Sequence, residues 1–342
     1  MSIEPHLFFN GKEFIGFEDM GDASTDRIAD HAQVYILRSI SGKWKQPIAY
    51  NFSRASTTTV DLARIMQSTI TKCFEVELIV IATVSDQGSN NVAAINYLMQ
   101  NTVPVQERHE NTERKFFYVN GRKITHIFDP PHLLKGIRNN LLRSNLVWMN
   151  ENEIFTASWE VIYTVYQMDN MSGQLRSLPK LTEEHVNPDK IRKMKVSHAA
   201  QVFSHSVAAV MNLLLTTGKG SRSRWKKKIK PTSSSNSEVL KFFDTLFDSV
   251  NGMSIPSANQ KRLRCAMSSI SGHMEFWAEA KKALKNMYFE DKKSNRKQVP
   301  SRNWLITING IHDIFDILKR SYSMTILRTR VFNQDPLEFF FW

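Results

Sequence analysis

The stretch Leu78 to Asn91, LIVIATVSDQGSNN, decides the fold. Its β-branched run (Ile79, Val80, Ile81, Val84) stops at Asp86, and Gly88 and three polar residues follow. An apolar run bounded by such a turn signal reads as a fully buried strand. A carboxylate at the C-terminal end of a buried strand stands where α/β sheets present their chemistry. Gly88 permits the sharp bend that puts Asp86 at the mouth of the sheet. The alternative is that Asp86 caps a helix starting near Asn91.

Upstream, Glu4–Phe9 and Lys12–Phe17 flank Asn10-Gly11, a dipeptide suited to a type I′ hairpin turn. Ala32–Ser39 and Pro47–Phe52 read as two further strands around Ser41-Gly42. Thr58, with Asp61 three residues on, signals a helix over Val60–Phe74. The Asp86 strand comes next, placed at the sheet centre, then a helix over Asn91–Asn101. Three antiparallel strands, a helix, a central strand and a helix is the order of a ribonuclease H-like domain.

Downstream, Asn120-Gly121 marks a second hairpin between Lys115–Val119 and Lys123–Phe128. Asp129-Pro130-Pro131-His132 then opens an amphipathic helix with Leu133, Leu134, Ile137, Leu141 and Leu142 on one face and Lys135, Arg138 and Asn139 off it. His132 reads as structural or as a base or ligand. Beyond Leu142 the pattern turns helical: Glu153–Met168, Asp189–Leu215, Glu238–Val250, Ala258–Tyr288 and Val299–Ser321. A block this long makes a second domain. Within it, the basic, Ser-rich stretch Gly218–Ser237 has too little apolar surface to fold; it reads as a nuclear-import or DNA-backbone contact, or as a solvated loop.

At 342 residues the chain has room for two domains. Cys73 and Cys265 are its two cysteines, which excludes a disulfide framework or a cysteine-based metal site. No segment approaches membrane-span length, so no membrane partner is expected. The net charge of +12 points to a polyanionic partner, with nucleic acid leading.

Four stretches, in order, resemble the P-element and THAP-domain family of DNA transposases: Ser85–Asn91 (SDQGSNN), His126–Leu142 (HIFDPPHLLKGIRNNLL), Pro179–Ala209 and Leu327–Phe341 (LRTRVFNQDPLEFFF). The resemblance implies an α/β ribonuclease H-like half-domain with a mixed sheet, over 1–130. A mainly helical GTP-binding insertion would occupy 131–326, and 327–342 would begin the returning part. It implies DNA cleavage and strand transfer in the nucleus, with Mg²⁺ or Mn²⁺ and GTP as cofactors. The implied partners are transposon ends, target DNA and a homo-oligomer. Two cations roughly 3.5 to 4 Å apart clamp the attacking and leaving oxygens in such chemistry, and hard cations prefer carboxylates.

By residue match, the second metal-binding and catalytic carboxylate is Asp86 and the third is Glu338. The first, in an Asp-Glu-Met that opens the family domain, has no counterpart, since the chain opens Met1-Ser2-Ile3 and Glu4 is not at that position. A chain shortened at both ends and incomplete as an enzyme is therefore expected, with an inactive DNA- or GTP-binding module as the alternative. Nucleotide contacts map to Lys180, Lys195, Val196, Phe247, Asp248, Asn251 and Asp335. A carboxylate at Asp248 or Asp335 can accept two hydrogen bonds from the guanine edge, Phe247 can stack on the base, and the lysines can neutralise phosphate. There is no GxxxxGK[ST] loop. Asp335 and Glu338, spaced i,i+3, would fall on neighbouring positions of one helical face, one toward guanine and the other toward metal.

Overall fold

The computed structural model describes residues 1–21, 23–150, 153–171, 175–217, 233–255, 263–291, 297–298 and 301–337. Its chain divides into two units. One holds residues 1–129, 309–327 and those from 331 onward; the other holds 130–308 and 328–330.

The first unit opens with a small hairpin, β1 (Phe8–Phe9) and β2 (Phe14–Ile15). Phe9 pairs with Phe14, so the loop has four residues rather than the two of a type I′ turn. Asn10 is the reason: its Oδ1 accepts the backbone N–H of Lys12 and of Glu13, both at 2.9 Å, which closes a wider Asx-type turn. An antiparallel sheet follows, built of β3 (Phe17–Asp19), β4 (Ser24–Ile28), β5 (His31–Arg38) and β6 (Lys45–Ser53) in the order β4-β3-β6-β5. The sequence reading missed β4, whose Ser-Thr-Asp-Arg-Ile is exposed throughout and carries no apolar alternation.

Helix α1 (Thr59–Glu75) starts where Thr58 Oγ1 accepts the N–H of Asp61. Strand β7 (Ala82–Ser85), α2 (Ser89–Thr102), the short α3 (Val105–Glu110), β8 (Phe116–Val119) and β9 (Arg122–Phe128) complete this part. Strand β7 runs parallel to β9, and β8 antiparallel to it, which makes the sheet mixed. The β8–β9 loop is the expected two-residue turn: Val119 faces Arg122, and Asn120 and Gly121 take φ of 48° and 74°. Leu62, Met66 and Ile70 of α1, Ile95 and Leu98 of α2, and Phe117, Val119 and Ile124 of the sheet form one core.

The decisive strand differs from its reading in two respects. It is half-buried, with Ile79 54% exposed, and among the described residues β9 is its one hydrogen-bonded neighbour, so it is not central. The cause lies at the end of α1. Glu77 takes a positive φ and the Leu78 N–H returns to Cys73 O, so the first apolar residues turn back on the helix end instead of entering the sheet.

The second unit begins with α4 (Pro130–Leu141), then β10 (Ser144–Asn150), β11 (Glu153–Ala157), α5 (Trp159–Asn170), α6 (Glu183–Val186), α7 (Val196–Val202), α8 (His205–Thr217) and α9 (Ser233–Val250). Then come β12 (Met267–Ser268), α10 (His273–Lys285), β13 (Met287–Asp291), β14 (Lys297–Gln298) and α11 (Ser301–Tyr322), with β15 (Ile326–Leu327) belonging to the first unit. It is less purely helical than its composition reads. Strands β11-β10-β13-β14 form an antiparallel sheet, so Glu153 opens a strand and, among the described residues, the reading of Ala258–Tyr288 as helix holds for α10 alone. Trp148 and Phe155 pair across β10 and β11, a cross-strand aromatic contact whose residues also fit a helix. The end of the Ser-rich stretch is ordered: Ser235, Asn236 and Ser237 are buried in the first turns of α9, and Asn236 Oδ1 accepts the Ser158 N–H at 2.9 Å. The basic run Arg222–Lys230 lies outside the described residues.

The chain re-enters the first unit within α11, at Asn309, rather than near Leu327. Gly310 marks the place: a Cβ there would stand 3.2 Å from Ile127 Cγ1 and Thr125 Cγ2, so the missing side chain suits the close approach of this helix to β9. Asn309 Nδ2 donates to Glu113 O, and Arg114 pairs with Asp313 at 2.8 Å beside it.

Candidate active site and nucleotide-binding residues

Because β7 and β9 are parallel neighbours with Ser85 opposite Phe128, the residues that end them, Asp86 and Asp129, emerge side by side at the C-terminal edge of the sheet. The Asp129 N–H donates to Ser85 O at 2.9 Å and carries the ladder one step beyond the strands. Asp86 is half-buried. Its Oδ1 accepts the Gly88 N–H at 2.8 Å and the Asn91 side chain at 2.7 Å, while Oδ2 has no hydrogen bond among the described residues. It thus braces the turn into α2, whose N-cap is Gly88, and keeps one oxygen available.

Asp129 is 1% exposed. Its Oδ1 accepts the backbone N–H of Gln334 at 2.7 Å, so the returning segment lies against the end of β9. Arg38 of β5 holds that segment from another side, with Nη1 donating to Val331 O at 3.2 Å and to Asn333 Oδ1 at 3.4 Å. Asn333 Nδ2 in turn donates to Asp335 Oδ2 at 2.9 Å. The fold therefore brings Asp86, Asp129 and the turn bearing Asp335 to one edge. Glu338 lies outside the described residues. Below the carboxylates, the fully buried His126 reaches Thr83 and Ser85 of β7; burial pushes its pKa down to about 3, so it is neutral.

The nucleotide candidates of the second unit form two groups. Exposed Lys180 precedes α6, and Lys195 and Val196 open α7. Arg138 of α4 lies under this part, fully buried, donating from Nη2 to Lys193 O at 2.6 Å and from Nε to Asn139 Oδ1. This corrects the placement of Arg138 off the apolar face: it follows Leu134 by one helical turn, on the buried side, and cannot contact DNA. His185 and His198 stack with centroids 4.1 Å apart, and burial, with His198 and Arg138 nearby, holds His185 below its ordinary pKa. The second group closes α9. Phe247 and Asp248 occupy its last turn, half-buried, and Asn251 follows. Arg264 approaches Asp248 to 3.9 Å. Thr329, itself buried, locks this end, accepting the Gly252 N–H at 2.8 Å and donating to Ser249 O. Asp335 belongs to the other unit.

Two family models match: the TNP-like RNase H N-terminal domain over residues 1–99 and the TNP-like GTP-binding insertion domain over 131–263. The Transposable element P transposase of Drosophila melanogaster is 22% identical over 324 residues, 94% of this chain and 39% of that protein. The human DNA transposase THAP9 is 24% identical over 207 residues, 59% of this chain and 22% of that protein. The chain belongs to the P-element and THAP-domain transposase family. A solved Drosophila P element transposase strand transfer complex shares its fold, with a TM-score of 0.73 at 19% identity over 100% of this chain and 69% of that one. The chain thus spans well under half the length of the curated family members it matches.

Family membership implies a divalent cation, and the donor set can be tested against one. Asp86 fits as a single ligand through Oδ2, but no group of three His, Cys, Asp or Glu side chains suited to a metal occurs among the described residues. These described residues alone do not complete a metal centre. The sequence reading missed Asp129, Arg38 and His126. Asp129 had a usable signal, since it ends an apolar strand just before a helix, as Asp86 does. Arg38 had none, because its partners are 293 residues away or more.

Proposed function

We propose that this chain is a P-element-type transposase polypeptide. In this reading the ribonuclease H-like unit cleaves and rejoins DNA phosphodiesters in the nucleus, and the insertion unit binds GTP as a structural cofactor. The observation that supports it is the placement of Asp86 and Asp129 on adjacent parallel strand ends, with the Asn333–Leu337 turn bonded to Asp129. That is the edge at which α/β sheets carry out chemistry. Among the described residues Asp86 Oδ2 has no hydrogen bond, which suits a catalytic carboxylate. When bound, Mg²⁺ or Mn²⁺ would supply charge stabilisation for the attacking and leaving oxygens. The residues described here hold the strand ends, bend the chain at Gly88 and bring back the Asp335 turn. Glu338 is the further carboxylate of this reading.

For GTP, Lys180 and Lys195 would meet phosphate, the Val196 backbone would lie beside it, Phe247 would stack on the base, and Asp248 with Asn251 would read the guanine edge. Asp335 is the remaining candidate contact. DNA would be held by its backbone, through Lys135, exposed Arg143 and the run Arg222–Lys230.

The test is nicking of supercoiled plasmid DNA by the full chain in Mn²⁺, with Asp86→Ala beside it. Nicking that Asp86→Ala abolishes is the expected result. DNA retention without Asp86-dependent nicking would replace this reading with a second one, a DNA- and GTP-binding module without catalysis.

A further inference from the structure

Asp129 is an unusual place for a carboxylate. It is 1% exposed, at the end of a central buried strand, and a buried anion needs donors aimed at it. One donor is the Gln334 N–H, which comes from 205 residues further along the chain. The backbone of Asp129 is fixed separately, through its own N–H to Ser85 O, the residue before Asp86. Two hydrogen bonds on one residue therefore connect the Asp86 strand end to the returning turn.

The turn has its own internal order. The Leu337 N–H closes on Gln334 O at 2.9 Å, and Asn333, held by Arg38, orients the Asp335 carboxylate. The bond to Asp129 then sets where this preformed turn docks. A backbone N–H to a carboxylate is among the stronger hydrogen bonds, and a buried one is not weakened by competing water.

We propose that Asp129 is the positioning residue of this site: by accepting the Gln334 N–H it docks the returning carboxylate turn beside Asp86. The inference rests on the reading of this edge as a DNA-processing site. Asp129 itself acts through the turn, not on DNA. Its Oδ1 is engaged by the N–H, whereas Asp86 Oδ2 has no hydrogen bond among the described residues.

Hydrogen exchange of the full chain, read by mass spectrometry over residues 331–337 and over α2, tests the anchor. Asp129→Ala is expected to speed exchange at 331–337 by roughly tenfold, the scale of one charge-assisted hydrogen bond, while α2 stays protected. Asp129→Asn keeps an acceptor oxygen and is expected to restore most of the protection, whereas Asp129→Leu, which fills the space without an acceptor, is expected to behave like alanine; a merely space-filling role would have leucine restore it as well. Unchanged protection in Asp129→Ala overturns the proposal. Should Asp129→Ala also expose α2, Gln334→Pro decides, since it removes the donor and leaves Asp129 in place: faster exchange at 331–337 alone supports the anchor, and unchanged exchange rejects it. In the Mn²⁺ nicking assay, Asp129→Ala should lose at least about tenfold in rate and Asp129→Asn should recover part of it. If the wild-type chain shows no Asp86-dependent nicking, the transposase reading fails while the exchange data still decide the anchor.

Discussion

The His126 imidazole stands 3.0 Å from Thr83 Oγ1, its partner across the parallel β7–β9 ladder, and bridges the two strands that end in Asp86 and Asp129. Its other nitrogen faces Ser85 Oγ at 3.4 Å. With no exposure, the ring is held neutral, its pKa pushed from 6.5 to about 3. Below pH 6.5 the unfolded chain takes up a proton that the folded chain refuses. The stability from this group is complete above pH 6.5 and declines as pH falls toward 3, by up to about 1.4 kcal/mol per pH unit. Buried His273 in the second unit, its pKa pushed down to about 4 by burial, acts in the same direction. Urea unfolding at pH 7, 6 and 5 should therefore show a shallower pH slope for His126→Leu than for the wild type. Equal slopes would mean that His126 is charged in the fold.

Gly310 lies inside α11, where alanine would normally be preferred by about 1 kcal/mol. The packing reverses that preference. A methyl group would press on Ile127 and Thr125 at 3.2 Å and on His126 O at 3.4 Å, and all three residues are buried, so room for it requires a shift in the core. Gly310→Ala should destabilise the chain by about 1 kcal/mol and Gly310→Val by about 3 kcal/mol, in the manner of other overpacked sites. A stabilised Gly310→Ala would show that the helix can move away from β9.

What the sequence made legible was local. Asn120-Gly121 announced its turn because both positive φ values come from those two residues, and Thr58 announced α1 because its cap bond spans three residues. The same dipeptide at Asn10-Gly11 misled, since the Asn10 side chain took the N–H groups that a two-residue turn would have left to the strand ladder. The order of elements placed Asp86 at a strand end, where it lies. It could not show that Asp129 stands beside it, because that depends on which strands pair and in what register. Arg138 was misplaced for a related reason: its charge suggested solvent, and only the loop from Arg192 to Lys195 shows what buries it.

DNA affinity should be carried mainly by charge. The chain has a net charge of +12, and Arg143 is exposed. Binding to a labelled duplex should fall linearly on a log–log salt plot, with a slope of about −0.9 per phosphate neutralised. Replacing the arginines and lysines of Arg222–Lys230 with glutamine should flatten that slope and leave Arg138→Gln without effect on it. An unchanged slope in the first variant would remove this segment from the DNA-binding surface.

Arg138 is a costly side chain to place. Its guanidinium is buried without a carboxylate partner among the described residues, Nη1 has no hydrogen bond, and burial pulls its pKa down to about 10. Such a group persists in a fold when its geometry holds something else, and here that is the Lys193 carbonyl, two residues before Lys195. Arg138→Ala should cost about 3 kcal/mol in urea unfolding, through the cavity and the lost clamp together. Lysine should not rescue it, because one ammonium cannot reach both Asn139 Oδ1 and Lys193 O as the planar fork does. Hydrogen exchange across residues 192–196 should rise in both variants before any change in α9. If Arg138→Lys matches the wild type in stability and in exchange, the fork geometry is not what holds this loop, and the candidate phosphate contact at Lys195 owes nothing to Arg138.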